Sequence, residues 1–234
     1  MEEERGRQFR AGVRSGLPIV LGYVPIGLAY AIIARQAGMS TLETALMSLL
    51  VYAGASQIMA AGMLARGAAA PVIVLATFLL NLRHLIMSLC VNTRLRGEKP
   101  AARLLGSFWI TDESFALFTT TERERCTLWY YLGLALAAYA AWVLSAVLGA
   151  LVTDLLPAIL SASFGIALYA MFIALLLPHL RGNARLALLV LLTALCNWGL
   201  GKLMAASWAM IVSMLLCAFA GLFFVELGEE ASDA

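Results

Sequence analysis

Seven stretches of the chain are apolar almost without interruption: residues 17–34, 42–64, 71–90, 128–152, 158–177, 186–200 and 205–225. A helix needs about 20 apolar residues to cross ~30 Å of hydrocarbon, so each stretch is a candidate membrane span. Gly201, Lys202, Leu203 and Met204 alone separate the last two, which predicts a tight connection. Residues 104–121 follow another pattern, half apolar and half polar, with Asp112 and Glu113 in the middle. An eighth crossing lined by protein, a re-entrant segment and a surface helix all fit it. Lipid tolerates no exposed sheet edge, so the interior spans are expected to be helical. The alternating strands of about 10 residues that build a membrane barrel are missing. The predicted fold class is all-α, a polytopic membrane helix bundle forming a single transmembrane domain over residues 1–234.

Composition removes the soluble alternative. Hydrophobic residues make up 62% of the 234 and charged residues 13%, about half the share of a typical soluble domain. A net charge of +2 is too near neutral to argue for nucleic acid, and the basic residues fit membrane-flanking anchors better. Residues 1–15 form a charged N-terminus expected in the cytoplasm, and residues 226–234 an acidic tail. Ala29-Tyr30-Ala31 resembles a signal-peptidase site, but Pro18 and Pro25 interrupt the run before it, and retention is expected. Seven true crossings would leave the basic cluster Arg94–Arg103, with Arg123 and Arg125, outside. Letting 104–121 cross, or making one of the first three segments re-entrant, repairs the imbalance, and both repairs place the acidic tail inside. Cys90, Cys126, Cys196 and Cys217 have no metal-ligand or disulfide-framework spacing.

Leu17-Pro18 followed by Gly27-Leu28-Ala29-Tyr30-Ala31 is similar to Leu156-Pro157 followed by Gly165-Ile166-Ala167-Leu168-Tyr169-Ala170. Either repaired topology makes the two segments enter from opposite sides, as an inverted repeat requires. Such repeats, with Pro/Gly-interrupted helices, mark secondary transporters whose broken helices form the substrate site. Coincidence among small apolar residues is the competing account.

Ionisable groups inside spans are costly and face a cavity or a partner. Asn81-Leu82-Arg83-His84 stands in the middle of an apolar run. On an ideal helix Thr77, Asn81, His84 and Ser88 share a polar stripe, and Arg83 points to nearly the opposite side. The stripe either lines an aqueous path or is a hydrogen-bonded packing network. Asp112 and Glu113 are the natural counter-charges of Arg83. Adjacent helical residues diverge by about 100°, so only one faces it easily, and the other is free to bind a proton. Ser48, Tyr52 and Ser56 recur at intervals of four, and Gln57 adds an amide to that span. Asn197 and Lys202 are weaker signals, the latter placed to snorkel. Half-helix N-termini are expected near Gly22–Gly27 and Gly165, which with Gln57 and Asn81 would supply donors and acceptors inside the membrane.

Gly22-x-x-Pro25-x-Gly27, Gly54-Ala55-Ser56-Gln57, Asn81-Leu82-Arg83-His84 and Thr111-Asp112-Glu113-Ser114-Phe115-Ala116, in that order, resemble the AzlC family of bacterial branched-chain amino-acid exporters. The resemblance implies the large subunit of an exporter in the bacterial cytoplasmic membrane, working with a small hydrophobic AzlD-type subunit. It implies valine, leucine and isoleucine as substrates, methionine as a further candidate, and the proton gradient as the driving force, with no cofactor. The substrate-binding candidates are Gly22, Pro25, Gly27, Ser56, Gln57, Asn81 and Gly165. Arg83, His84, Asp112 and Glu113 are candidates for proton coupling or a buried ion pair. Two other classes compete. A membrane scaffold would move no solute, and an intramembrane hydrolase would use Ser56 and His84 as nucleophile and base. The chain has neither a G-x-x-x-x-G-K-[ST] nor an H-E-x-x-H motif.

Overall fold

The computed structural model describes residues 2–95, 97–122, 126–153, 173, 177, 180, 181 and 183–224, without the side chains of 207 and 222–224. The described residues form helices and connections, with no strand among them. The chain folds as two units, one of residues 1–67 and 74–165, the other of 68–73 and 166–234.

The first helix of the first unit, α1, runs Glu2–Gln36 and continues through Pro18 and Pro25. This corrects the expectation of a half-helix end near Gly22–Gly27. A proline removes one N–H and crowds one carbonyl, and a long apolar helix held by a neighbour tolerates that. The neighbour is α8, Leu128–Val152, whose bounds coincide with the fourth predicted span. Small residues set the seam between them. A Cβ on Gly12 would strike the Tyr130 carbonyl, and one on Gly133 the Phe9 carbonyl. Close backbone approach of this kind is how helices associate where no hydrophobic force drives them together. Trp142 of α8 fills the seam's wider part, with Tyr30 stacked at 6.0 Å and Tyr23 edge-on at 5.5 Å.

The second predicted span is two helices, α2 Thr41–Leu50 and α3 Gly54–Ala65. The break falls at Tyr52, a non-glycine residue at φ 42°. The third is also two, α4 Ala70–Asn81 and α5 Arg83–Arg94, separated by Leu82 alone. Leu82 keeps helical angles (φ −54°, ψ −31°), so residues 70–94 still run 25 residues, long enough to cross a bilayer. The half-polar segment splits into α6 Pro100–Ser107 and α7 Asp112–Thr120. By length and composition α1, the α4–α5 pair and α8 can each cross a membrane. Seven complete spans are not what the described residues form. The fifth predicted span lies almost wholly outside them, and the second half of the repeat, Gly165 included, lies outside entirely.

In the second unit α9 Ala184–Leu200 and α10 Ala206–Phe224 pack together across the short connection foreseen at Gly201–Met204. Ser213 donates to Asn197 Oδ1 at 3.4 Å, and Lys202 lies over Trp198 at 3.6 Å.

Candidate functional site

Three helix breaks carry the polar motifs. At the first, Ala53 starts α3 without a side-chain cap. Gln57, fully buried, reaches back instead. Its Oε1 accepts from the Ala53 N–H at 3.2 Å and from Trp142 Nε1 at 3.0 Å, and its Nε2 donates to Ser48 Oγ at 3.3 Å. An amide side chain has two donors and a two-lone-pair acceptor, so three of four capacities are used. Gln57 thereby ties α2, α3 and α8 together. The expected continuous face of Ser48, Tyr52 and Ser56 does not exist, because the break at Tyr52 resets the register.

At the second break Asn81 Nδ2 donates to Ser56 Oγ at 3.0 Å, and Ser56 donates to the Ala53 carbonyl at 2.9 Å. The first two breaks are joined through this chain of bonds. His84 Nδ1 lies 3.1 Å from the Asn81 carbonyl. A carbonyl only accepts, so this contact places a proton on Nδ1. Ser56 gives its own proton to a carbonyl and touches Asn81 rather than His84, which is not a nucleophile–base pair. Arg83 Nη1 meets Asp112 Oδ2 at 2.7 Å, with both side chains about half exposed (45% and 49%) rather than buried.

The third break is a reciprocal cap. Thr111 Oγ1 accepts from the Ser114 N–H at 3.3 Å, and Ser114 Oγ accepts from the Thr111 N–H at 2.9 Å. That cap fixes the start of α7 and sends its two acids apart. Asp112 goes to Arg83 and also lies in the field of His84. Glu113 Oε2 receives the Tyr23 hydroxyl at 2.5 Å, and Tyr23 Oη sits 2.8 Å from Thr111 Oγ1. A phenol has one proton to give. The carboxylate is the stronger acceptor, so Thr111 completes the Tyr23 oxygen.

The structure therefore brings Ser56, Gln57, Asn81, Arg83, His84, Asp112 and Glu113 to one junction of α1, α3, α4, α5, α7 and α8. Gly22 and Pro25 do not reach it and lie exposed on α1. Gly27 packs against Ser145 and Trp142 of α8. Sequence reasoning missed Tyr23, although it sits between the singled-out Gly22 and Pro25. It also missed Trp142, whose residue type in an apolar span carries no signal. One buried polar atom without a hydrogen-bond partner marks each break: the Tyr52 hydroxyl, Asn81 Oδ1 and Trp109 Nε1. Native interiors leave few such atoms, and each calls for an explanation.

An apolar helical chain with interrupted helices and an ion pair at the interruptions is an integral membrane protein organised around a polar centre. Comparison with known proteins gives the family. The AzlC protein family model matches residues 18–156, and the chain belongs to the AzlC family. An uncharacterized membrane protein of Archaeoglobus fulgidus is 34% identical over 182 residues, 76% of this chain and 79% of that protein. The inner membrane protein YgaZ of Escherichia coli is 30% identical over 181 residues, 74% of each chain. The branched-chain amino acid transport protein AzlC of Bacillus subtilis is 29% identical over 144 residues, 60% of this chain and 56% of that one. No solved structure matches.

Proposed function

We propose that this protein is the large subunit of a secondary transporter that exports valine, leucine and isoleucine, with methionine as a further substrate. It works in the bacterial cytoplasmic membrane with its N-terminus inside, coupled to protons, and with a small AzlD-type hydrophobic subunit. The observation that carries the reading is the convergence of three helix breaks on one polar junction. Broken helices expose donors and acceptors at depth in the membrane, which a zwitterionic solute needs and a scaffold does not. Membership of the AzlC family and the name of the Bacillus subtilis relative support the solute class. The partly exposed Arg83–Asp112 pair supports a second subunit or an aqueous path beside it, because lipid alone would not solvate those charges.

The test is efflux of branched-chain amino acids from loaded cells lacking their own exporters, with and without this chain and with and without a co-encoded small membrane protein. Export only when both are present is expected. Full transport by the purified chain alone in liposomes removes the partner from the reading, and no efflux under any condition removes the transporter itself.

A further inference from the structure

We propose that Glu113 and Tyr52 form the receptor for the α-ammonium group of the transported solute, with Tyr23 and Thr111 holding the carboxylate in place. This rests on the amino-acid transporter reading and adds which atoms recognise which end of the substrate. Asp112 and Arg83 balance each other across 2.7 Å, so Glu113 is left as the junction's unbalanced charge. Among the described residues no cation pairs with it. Its Oε2 is engaged by Tyr23, and its Oε1 makes no hydrogen bond within the described residues.

The second, independent observation is Tyr52. Its side chain is nearly sealed (3% exposed), yet its hydroxyl has no hydrogen-bond partner of good geometry. Tyr52 lies in the same buried cluster as Tyr23, whose hydroxyl contacts both Glu113 and Thr111. Leaving a buried hydroxyl unpaired is costly, and a bound partner would recover that cost. Tyr23, Tyr52 and Thr111 make a buried floor (6%, 3% and 9% exposed), while Glu113 is open on its outer side. A buried floor of hydroxyls with one open, unpaired carboxylate fits a primary ammonium. That group brings three N–H donors and one positive charge, and carries its own apolar side chain away from the acid. A carboxylate would be repelled here, so the two ends of the zwitterion are told apart.

The experiment is counterflow of labelled leucine through the full chain reconstituted with its small subunit, challenged with two truncated analogues. 3-Methylbutylamine keeps the ammonium and lacks the carboxylate; 4-methylpentanoate does the reverse. The amine is expected to compete and the acid to fail. Glu113→Gln should weaken the amine and leucine about 10- to 100-fold, the scale of one charge-assisted hydrogen bond. Tyr52→Phe, which removes only the oxygen, should weaken both by a smaller factor at unchanged expression. It decides the matter if Glu113→Gln does not fold. Amine competition undiminished in Tyr52→Phe overturns the proposal. So does a Glu113→Gln protein that keeps amine competition while losing only its proton or sodium dependence. Absence of leucine counterflow in the unmodified complex overturns the transporter reading, and this inference with it.

Discussion

At the scale of single residues, the two neighbouring acids are distinguished by what faces them. Asp112 meets a guanidinium and Glu113 a phenol. Arg83→Ala strands the Asp112 carboxylate. A fully buried pair loses about 3–5 kcal/mol when one partner goes, and half-exposure makes the loss here smaller. The thermal midpoint of purified Arg83→Ala should fall, and adding Asp112→Asn should restore most of it. Recovery through Glu113→Gln instead would show that the pairing is with the other acid. His84 tests a different property. Its ring is tied to the Asn81 carbonyl through Nδ1, and glutamine preserves a donor there while leucine does not. His84→Gln should fold normally, and His84→Leu should lower the thermal midpoint. An unchanged midpoint in His84→Leu would show that this contact adds no stability.

At the scale of elements, the seam between α1 and α8 is set by backbone approach, and the breaks are set by side chains that satisfy freed backbone groups. Gly133→Val places a branched side chain against the Phe9 carbonyl, and overpacking of this kind costs about 1–3 kcal/mol. A lower yield of folded protein in detergent should report it. Gly22 is the contrasting case. The helix passes through it, and a Cβ there meets nothing within 4 Å. Gly22→Ala should therefore leave transport intact and, as a glycine-to-alanine change inside a helix, stabilise slightly. Loss of transport in Gly22→Ala would reinstate this glycine as a substrate contact.

At the scale of the whole molecule, the polar motifs of the described spans gather at the breaks, and the spans around them are apolar. On the transporter reading, the side chain of the solute then has apolar surroundings to distinguish it. One methylene in such a pocket is worth about 1–3 kcal/mol, so valine, leucine and isoleucine should compete within roughly two orders of magnitude of one another. A preference on the order of 1000-fold in competition counterflow, beyond that methylene scale, would mean a polar or steric filter outside the junction.

The hydropathy pattern alone determined that the chain is a helical membrane protein, because twenty apolar residues in sequence have one stable environment whatever they pack against. It also marked the bounds of α8 at Leu128–Val152 and singled out Asn81, Arg83, His84, Asp112 and Glu113, since polar groups inside apolar runs are conspicuous one residue at a time. Continuity of the helices was not legible. Proline predicted interruptions in α1 that packing on α8 absorbed. Nothing in the local sequence announced that Tyr52, Leu82 and residues 108–111 would be the actual breaks. A break is stable where side chains take over the freed backbone groups, as Gln57 does for Ala53 four positions away, and here that side chain is itself held by Trp142, 85 positions further on. Which acid Arg83 would take, and that Tyr23 would hold the other, depended on the direction in which the Thr111–Ser114 cap launches α7. Those are relations between residues dozens of positions apart, and only the folded chain brings them within hydrogen-bonding distance.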